Sequence, residues 1–242
     1  MSPVLQISAL ALLGTTALRL VASGEYLRFV KPSLAPWLLL TGVALVALGA
    51  AVTWYLWRAA DDASSHAHGG PRIGLLLLLP VAVVYVVAPP PLGSYAAERT
   101  AAREPTQVAA PSTVLPLPEP DADGYRATSL DEYTARPFWN IEPSYEGEPV
   151  RLTGFVTPRA EGGWYLTRIQ IACCAADGFP IKVFVRDTGP VPPRDSWVRV
   201  DGRGLATVSP EYEEDDALGE VLAERVVPIE EPASPYEDQP GL

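Results

Sequence analysis

From Pro36 to Trp57 the chain reads PWLLLTGVALVALGAAVTWYLW, 22 residues without a charge. At about 1.5 Å rise per residue, a helix of that length crosses a hydrocarbon core of roughly 30 Å. Trp37 at one end and Trp54, Tyr55 and Trp57 at the other are the amphipathic rings favoured at headgroup level, and Arg58 stands just outside. Ile73 to Leu92 is again uncharged, with Pro80 inside and Pro89, Pro90 and Pro91 closing it. A neighbouring helix can satisfy the carbonyl that Pro80 frees. Val4 to Leu18 is shorter, and reaches spanning length through Ala22 if Arg19 snorkels to the interface. A cleaved signal peptide is the competing reading of this first stretch: the small residues Val21-Ala22-Ser23-Gly24 favour it, and the lack of Lys or Arg before Arg19 opposes it.

Three spans, at about residues 4–22, 36–57 and 73–92, make residues 1–92 an α-helical membrane domain. The charges divide accordingly: the first 92 residues are net +2, and the remainder is net −13. A wholly soluble protein is excluded, as is a basic nucleic-acid-binding domain, which needs Lys and Arg clustered on one face. Three spans put the two ends of the chain on opposite sides of the bilayer. Counting Arg19, Arg28, Lys31, Arg99 and Arg103 on one side against Arg58 and Arg72 on the other, the excess of positive charge predicts a C-terminal domain in the cytoplasm, below a multi-pass membrane anchor. Two cysteines allow at most one bridge and decide nothing about compartment.

Between the second and third spans, RAADDASSHAHGGPR holds the chain's two histidines, His66 and His68, beside Asp61 and Asp62. Imidazole and carboxylate here make a partial transition-metal site, or else a polar connector. Residues 93–124 read as a linker, because Pro105, Pro111, Pro116, Pro118 and Pro120 block regular ladders. A short helix is predicted next: Ser129 and Glu132 have capping-box spacing, Leu130, Tyr133 and Phe138 form an apolar side, and Pro137 ends it.

From Val150 the pattern becomes alternating. Residues 150–156, 164–171, 181–186, 197–201 and 220–227 give five short strands; Gly162-Gly163 joins the first two as a hairpin, and Gly154, Gly202 and Gly204 stand where curved strands bend. Five bent strands with one short helix predict a small all-β domain over 125–231, an OB-like barrel. Fold alone does not imply function. The run Glu211-Tyr-Glu-Glu-Asp-Asp216 would repel phosphates and reads as a solvated loop, since the ligand spacing of a dedicated calcium loop is missing. Residues 232–242 read as a disordered tail.

Cys173 and Cys174 end the second strand, ahead of Asp177 and Gly178. Adjacent Cα atoms lie about 3.8 Å apart, below the disulfide range of roughly 4.4 to 6.8 Å, so a mutual bridge would strain the peptide. On a regular strand the two side chains point to opposite faces, and both reach one metal only if the strand breaks at the pair. With such a break, two thiolates and Asp177 suit zinc or another transition metal. The open alternatives are one cysteine packed in the barrel with the other in the loop, and thiol redox chemistry. A Cys-His nucleophile is excluded, because this domain has no histidine. The sequence carries no phosphate-cradling glycine loop, zinc-protease helix or nucleophile elbow, and points away from an enzyme.

An N-terminal block of spans, a histidine-bearing loop before the last of them, Val-Arg-Leu-Thr-Gly-Phe-Val at 150–156 and Ile-Ala-Cys-Cys-Ala-Ala-Asp at 171–177 occur together. In these features the chain resembles the YcgQ-like family of bacterial membrane proteins over nearly its whole length. The resemblance implies an accessory subunit of a two-component permease, working beside a multi-spanning partner of the UPF0718 type. Some relatives carry a long His-rich run in the second loop, whereas this sequence keeps His66 and His68 alone. The readings left open beside the accessory subunit are a metal-binding or metallochaperone membrane protein using Cys173, Cys174 and Asp177, and a structural interaction module without a ligand.

Overall fold

A computed structural model of the chain describes residues 3–59, 78–87, 90–99, 116–160, 162–186, 189–205 and 219–238. The chain divides into two compact units, Met1–Pro90 and Pro91–Leu242.

In the first unit, α1 (Pro3–Ser23) and α2 (Ala35–Ala59) are helices long and apolar enough to cross a membrane. They pack together where small residues let the backbones approach: a Cβ on Gly14 would stand 2.9 Å from the Gly42 carbonyl oxygen. Trp37, Leu40, Val43, Trp54, Tyr55 and Trp57 stay exposed along α2. Of the third predicted span, residues 73–92, the described parts are α3 (Leu78–Val87), ten residues, and Pro90–Leu92, which are not helical. Pro91 and Leu92 belong to the second unit, where Leu92 finds apolar side chains to pack on, so the helical domain ends before the predicted residue 92. Arg19, one turn before the end of α1, donates from Nη1 to the Tyr85 carbonyl (2.8 Å) and lies over the Tyr85 ring, bringing the C-terminal ends of α1 and α3 side by side.

The second unit is a seven-stranded sheet: β1 (Arg126–Ala127), β2 (Pro149–Pro158), β3 (Trp164–Ile171), β4 (Phe179–Arg186), β5 (Trp197–Leu205), β6 (Gly219–Pro228) and β7 (Tyr236–Asp238). The five long strands are those the alternation predicts. Their pairings run from β2 to β5, β6, β4 and β3, and β3 pairs again with β2. All are antiparallel except β4 with β6. Side chains on one face of these strands, among them Val150, Leu152, Trp164, Leu166, Ile181, Val183, Val200 and Val221, form the main core. Gly154 and Gly204 allow the crossing of backbones that this needs: a Cβ on Gly154 would lie 2.6 Å from the Thr167 carbonyl oxygen, and one on Gly204 would collide with that of Tyr145. Gly162 and Gly163 take positive φ values of 98° and 81°, which the β2–β3 turn requires.

The predicted short helix is α5 (Leu130–Phe138), with Ser129 accepting the Glu132 N–H at 3.1 Å. The return half of the capping box is absent, because the Glu132 carboxylate is engaged by Arg136 and Tyr145. Leu130 and Tyr133 plug one end of the core. The Tyr133 hydroxyl donates to the Glu220 carbonyl and accepts from Leu205 N–H.

Two boundaries differ from the sequence reading. The linker expected from residue 93 instead begins with a short helix, α4 (Ser94–Arg99), which buries Ala97 with Phe155, Ile169, Ile171 and Tyr236 in a second apolar cluster, on the opposite face of the sheet from the main core. Asp195 caps it, accepting the Ser94 N–H at 2.6 Å. The tail expected to be disordered from residue 232 carries β7, parallel to β3, with Tyr236 and the Glu237 carboxylate buried. In both segments a few apolar side chains find an exposed strip on β3, a match of shape that composition does not reveal. Residues 100–115 of the linker and the acidic run 211–216 lie outside the described residues.

Candidate functional site

The strand does break at the cysteine pair. β3 ends at Ile171, Ala172 and Cys173 form a bend, and Ala175–Asp177 make one 3-10 turn before β4 begins at Phe179. Asp177 imposes the reversal. Its Oδ1 accepts the Ala172 N–H at 2.8 Å, and its Oδ2 accepts the N–H groups of Cys173 at 2.9 Å and Cys174 at 3.1 Å. One carboxylate thus satisfies three successive donors that the strand has left behind. Ala175 anchors the turn on the second apolar cluster beside Leu92.

This arrangement turns both thiols to one side. Cys173 is exposed and Cys174 half-buried, and both are free. The two sulfurs and an Asp177 oxygen lie within 4.8 Å of one another. The Cys173 thiol donates to Asp177 Oδ2 at 2.9 Å. That bond, with further hydrogen bonding from Cys174, pushes the Cys173 thiol up to about 12. Partial burial would raise the Asp177 carboxyl, but the Cys173 thiol and three backbone N–H groups outweigh it and hold Asp177 at about 2.

The consequence is a thiol that stays protonated at neutral pH because a carboxylate faces it. Asp177→Asn removes the charge. In a Cys174→Ser background, the midpoint of the pH–rate profile for Cys173 alkylation should fall by about one to two pH units toward the ordinary thiol value. An unmoved midpoint would show that Asp177 does not control Cys173.

Among the predicted site residues, the structure therefore brings Cys173, Cys174 and Asp177 together; His66 and His68 lie outside the described residues. Two charged clusters went unpredicted. Asp201, fully buried, receives Arg151 Nε at 2.7 Å and Arg225 Nη2 at 2.7 Å, with Arg199 Nε 3.3 Å away. Glu237 accepts the N–H groups of Leu130 and Asp131, both at 2.9 Å, at the start of α5. The first had a faint signal in the sequence: Arg151, Arg199, Asp201 and Arg225 are charged residues within otherwise apolar strand segments. The second had none, because its partners are about a hundred residues apart.

Comparison with models of known families, with curated proteins and with solved structures finds no match for this chain.

Proposed function

We propose that the chain is an accessory subunit of a two-component bacterial permease, held in the cytoplasmic membrane by three spans, with its C-terminal domain in the cytoplasm meeting the permease or its cargo. The observation that carries this reading is the partition of the chain into a unit of apolar helices, two of them long enough to span, and a separate β-sheet unit with its own core. The third span of this reading includes α3, and the contact of Arg19 with Tyr85 supports a parallel course for the first and third helices. The return of the strand pairings to β2 supports a closed, OB-like barrel. No acidic residue occurs in α1, α2 or α3, so these helices offer no carboxylate of the kind that marks ion routes. A helper to a larger transporter follows more naturally than a transporter.

Photo-crosslinkers placed at Trp37, Leu40 and Val43 of α2 in native membranes should recover a multi-spanning permease. Recovery of lipid alone would sink the subunit reading. An impermeant thiol reagent should label Cys173 and Cys174 in cells lysed in denaturant, where the Asp177 contact is lost, and leave both unlabelled in intact cells; labelling from outside would place the β domain across the membrane.

A further inference from the structure

We propose that Cys173, Cys174 and Asp177 form a three-donor site for a thiophilic divalent cation, zinc above all, with one coordination position left open at the protein surface. This goes beyond the permease reading and stands or falls without it.

The argument starts from spacing. Zinc bound tetrahedrally at about 2.3 Å from sulfur and about 2.1 Å from oxygen sets two sulfurs about 3.8 Å apart and sulfur about 3.6 Å from oxygen. Here Cys173 Sγ stands 2.9 Å from Asp177 Oδ2, and no pair of donor atoms exceeds 4.8 Å. Seating the ion asks the thiol and carboxylate to part by about 0.7 Å and the widest pair to close by at most about 1.2 Å, displacements within the reach of χ rotations at an exposed turn. Adjacent cysteines on a strand could not meet this requirement, because their side chains diverge.

The second argument is the support behind the donors. Asp177 Oδ1 accepts one N–H, from Ala172, and Oδ2 is held by Cys173 N–H and Cys174 N–H, so the backbone fixes the carboxylate beside both sulfurs before any ion arrives. An ion would displace the Cys173 thiol's donation to Asp177 and its hydrogen bond with Cys174, and coordination replaces both: two S–H bonds break, two metal–sulfur bonds form, and two protons pass to solvent, while the Asp177 N–H can go on donating to the Cys174 sulfur. Two thiolates exclude calcium and magnesium and select a softer cation. With three protein donors, and Cys173 exposed, the fourth position falls to water or to a donor from outside.

The test uses the full-length chain, reduced, metal-free and in detergent micelles, with cobalt(II) as the spectroscopic probe. One cobalt per chain should bind with a thiolate-to-metal charge-transfer band that one equivalent of zinc abolishes. Zinc should also protect both thiols of the unmodified chain from a thiol reagent, a reading that needs no variant to fold. Cys173→Ser with Cys174→Ser should remove the band, Asp177→Asn should weaken binding by about 10- to 100-fold, and His66→Ala with His68→Ala should leave the band intact. Cobalt bound without the charge-transfer band, or thiols equally reactive with and without zinc, would overturn the site. Loss of the band in the histidine variant would do so as well, by moving the ion to the second loop.

Discussion

Asp201→Ala will destabilise the β domain by about 3 kcal/mol, whereas removal of one of its partners, Arg225→Ala, will cost less than about 1 kcal/mol. The asymmetry comes from burial. The Asp201 side chain is fully buried, while those of Arg151, Arg199 and Arg225 are 15%, 31% and 53% exposed. Arg151 and Arg225 sit directly opposite Asp201 on the neighbouring strands β2 and β6. Deleting the carboxylate leaves Arg151 with Asp121 and Asp123 at the domain surface, but with its deepest contact gone. Deleting Arg225 leaves a carboxylate still held by two cations. Burial alone would raise the Asp201 carboxyl; hydrogen bonds from Arg151 and Arg225 hold it below the ordinary carboxylate value instead. A carboxyl lowered by folding contributes stability above its unfolded value and loses it as pH falls toward the folded one. The cost of Asp201→Ala, read as a urea midpoint by pulse proteolysis of the full-length chain, should therefore shrink below about pH 4. Equal midpoints for Asp201→Ala and Arg225→Ala would refute the buried-hub reading.

How far such features can be seen in advance depends on the range of the interaction. Strand alternation and the Gly162-Gly163 turn are local, and they place the five long strands within a few residues of their ends. The same holds for Ser129 at the start of α5, although the Glu132 half of that signal is diverted to Arg136 and Tyr145. The break after Ile171 also follows from local chemistry, since Asp177 and Gly178 invite a turn and the two thiols can converge only there. What local reading misses is the use of that carboxylate as a staple for three backbone donors. It misses the Asp201 hub for a different reason: alternation marks which residues face outward, while register decides which outward charges meet, and register belongs to the assembled sheet. α4 and β7 fail for a third reason. Their segments are too short and polar to announce a core, and they order on a strip of Phe155, Ile169 and Ile171 supplied from elsewhere.

That strip makes the end of the chain the second place where a small change has a large effect. Ending the chain at Ser234 will destabilise the β domain by about 5 kcal/mol or more. Tyr236 is 5% exposed, packs on Ile169 and Ile171, and accepts the Leu92 N–H at 2.9 Å through its hydroxyl. Loss of a buried aromatic side chain costs about 3 kcal/mol by itself. Arg168 donates to the Tyr236 carbonyl at 3.1 Å and has its Nε 3.9 Å from Glu237 Oε1; truncation removes both partners and leaves the largely buried guanidinium with the Ser234 oxygen and the Trp197 ring. Two N–H groups at the start of α5 lose their acceptor as well. Glu237→Gln separates these contributions. Burial pushes the Glu237 carboxyl up, against Arg168 and the α5 N–H groups. A carboxyl raised by folding stabilises fully below its unfolded value and loses that contribution as pH rises through the folded one, so the ionised form works against its own burial. A neutral amide still offers an oxygen to one N–H, and the substitution should cost only about 1–2 kcal/mol, far less than truncation. If ending the chain at Ser234 left the urea midpoint unchanged, β7 would be an ornament on β3; the bonds from Leu92, Leu130 and Arg168 converging on Tyr236 and Glu237 make it instead the clasp that holds α4 and α5 to the sheet.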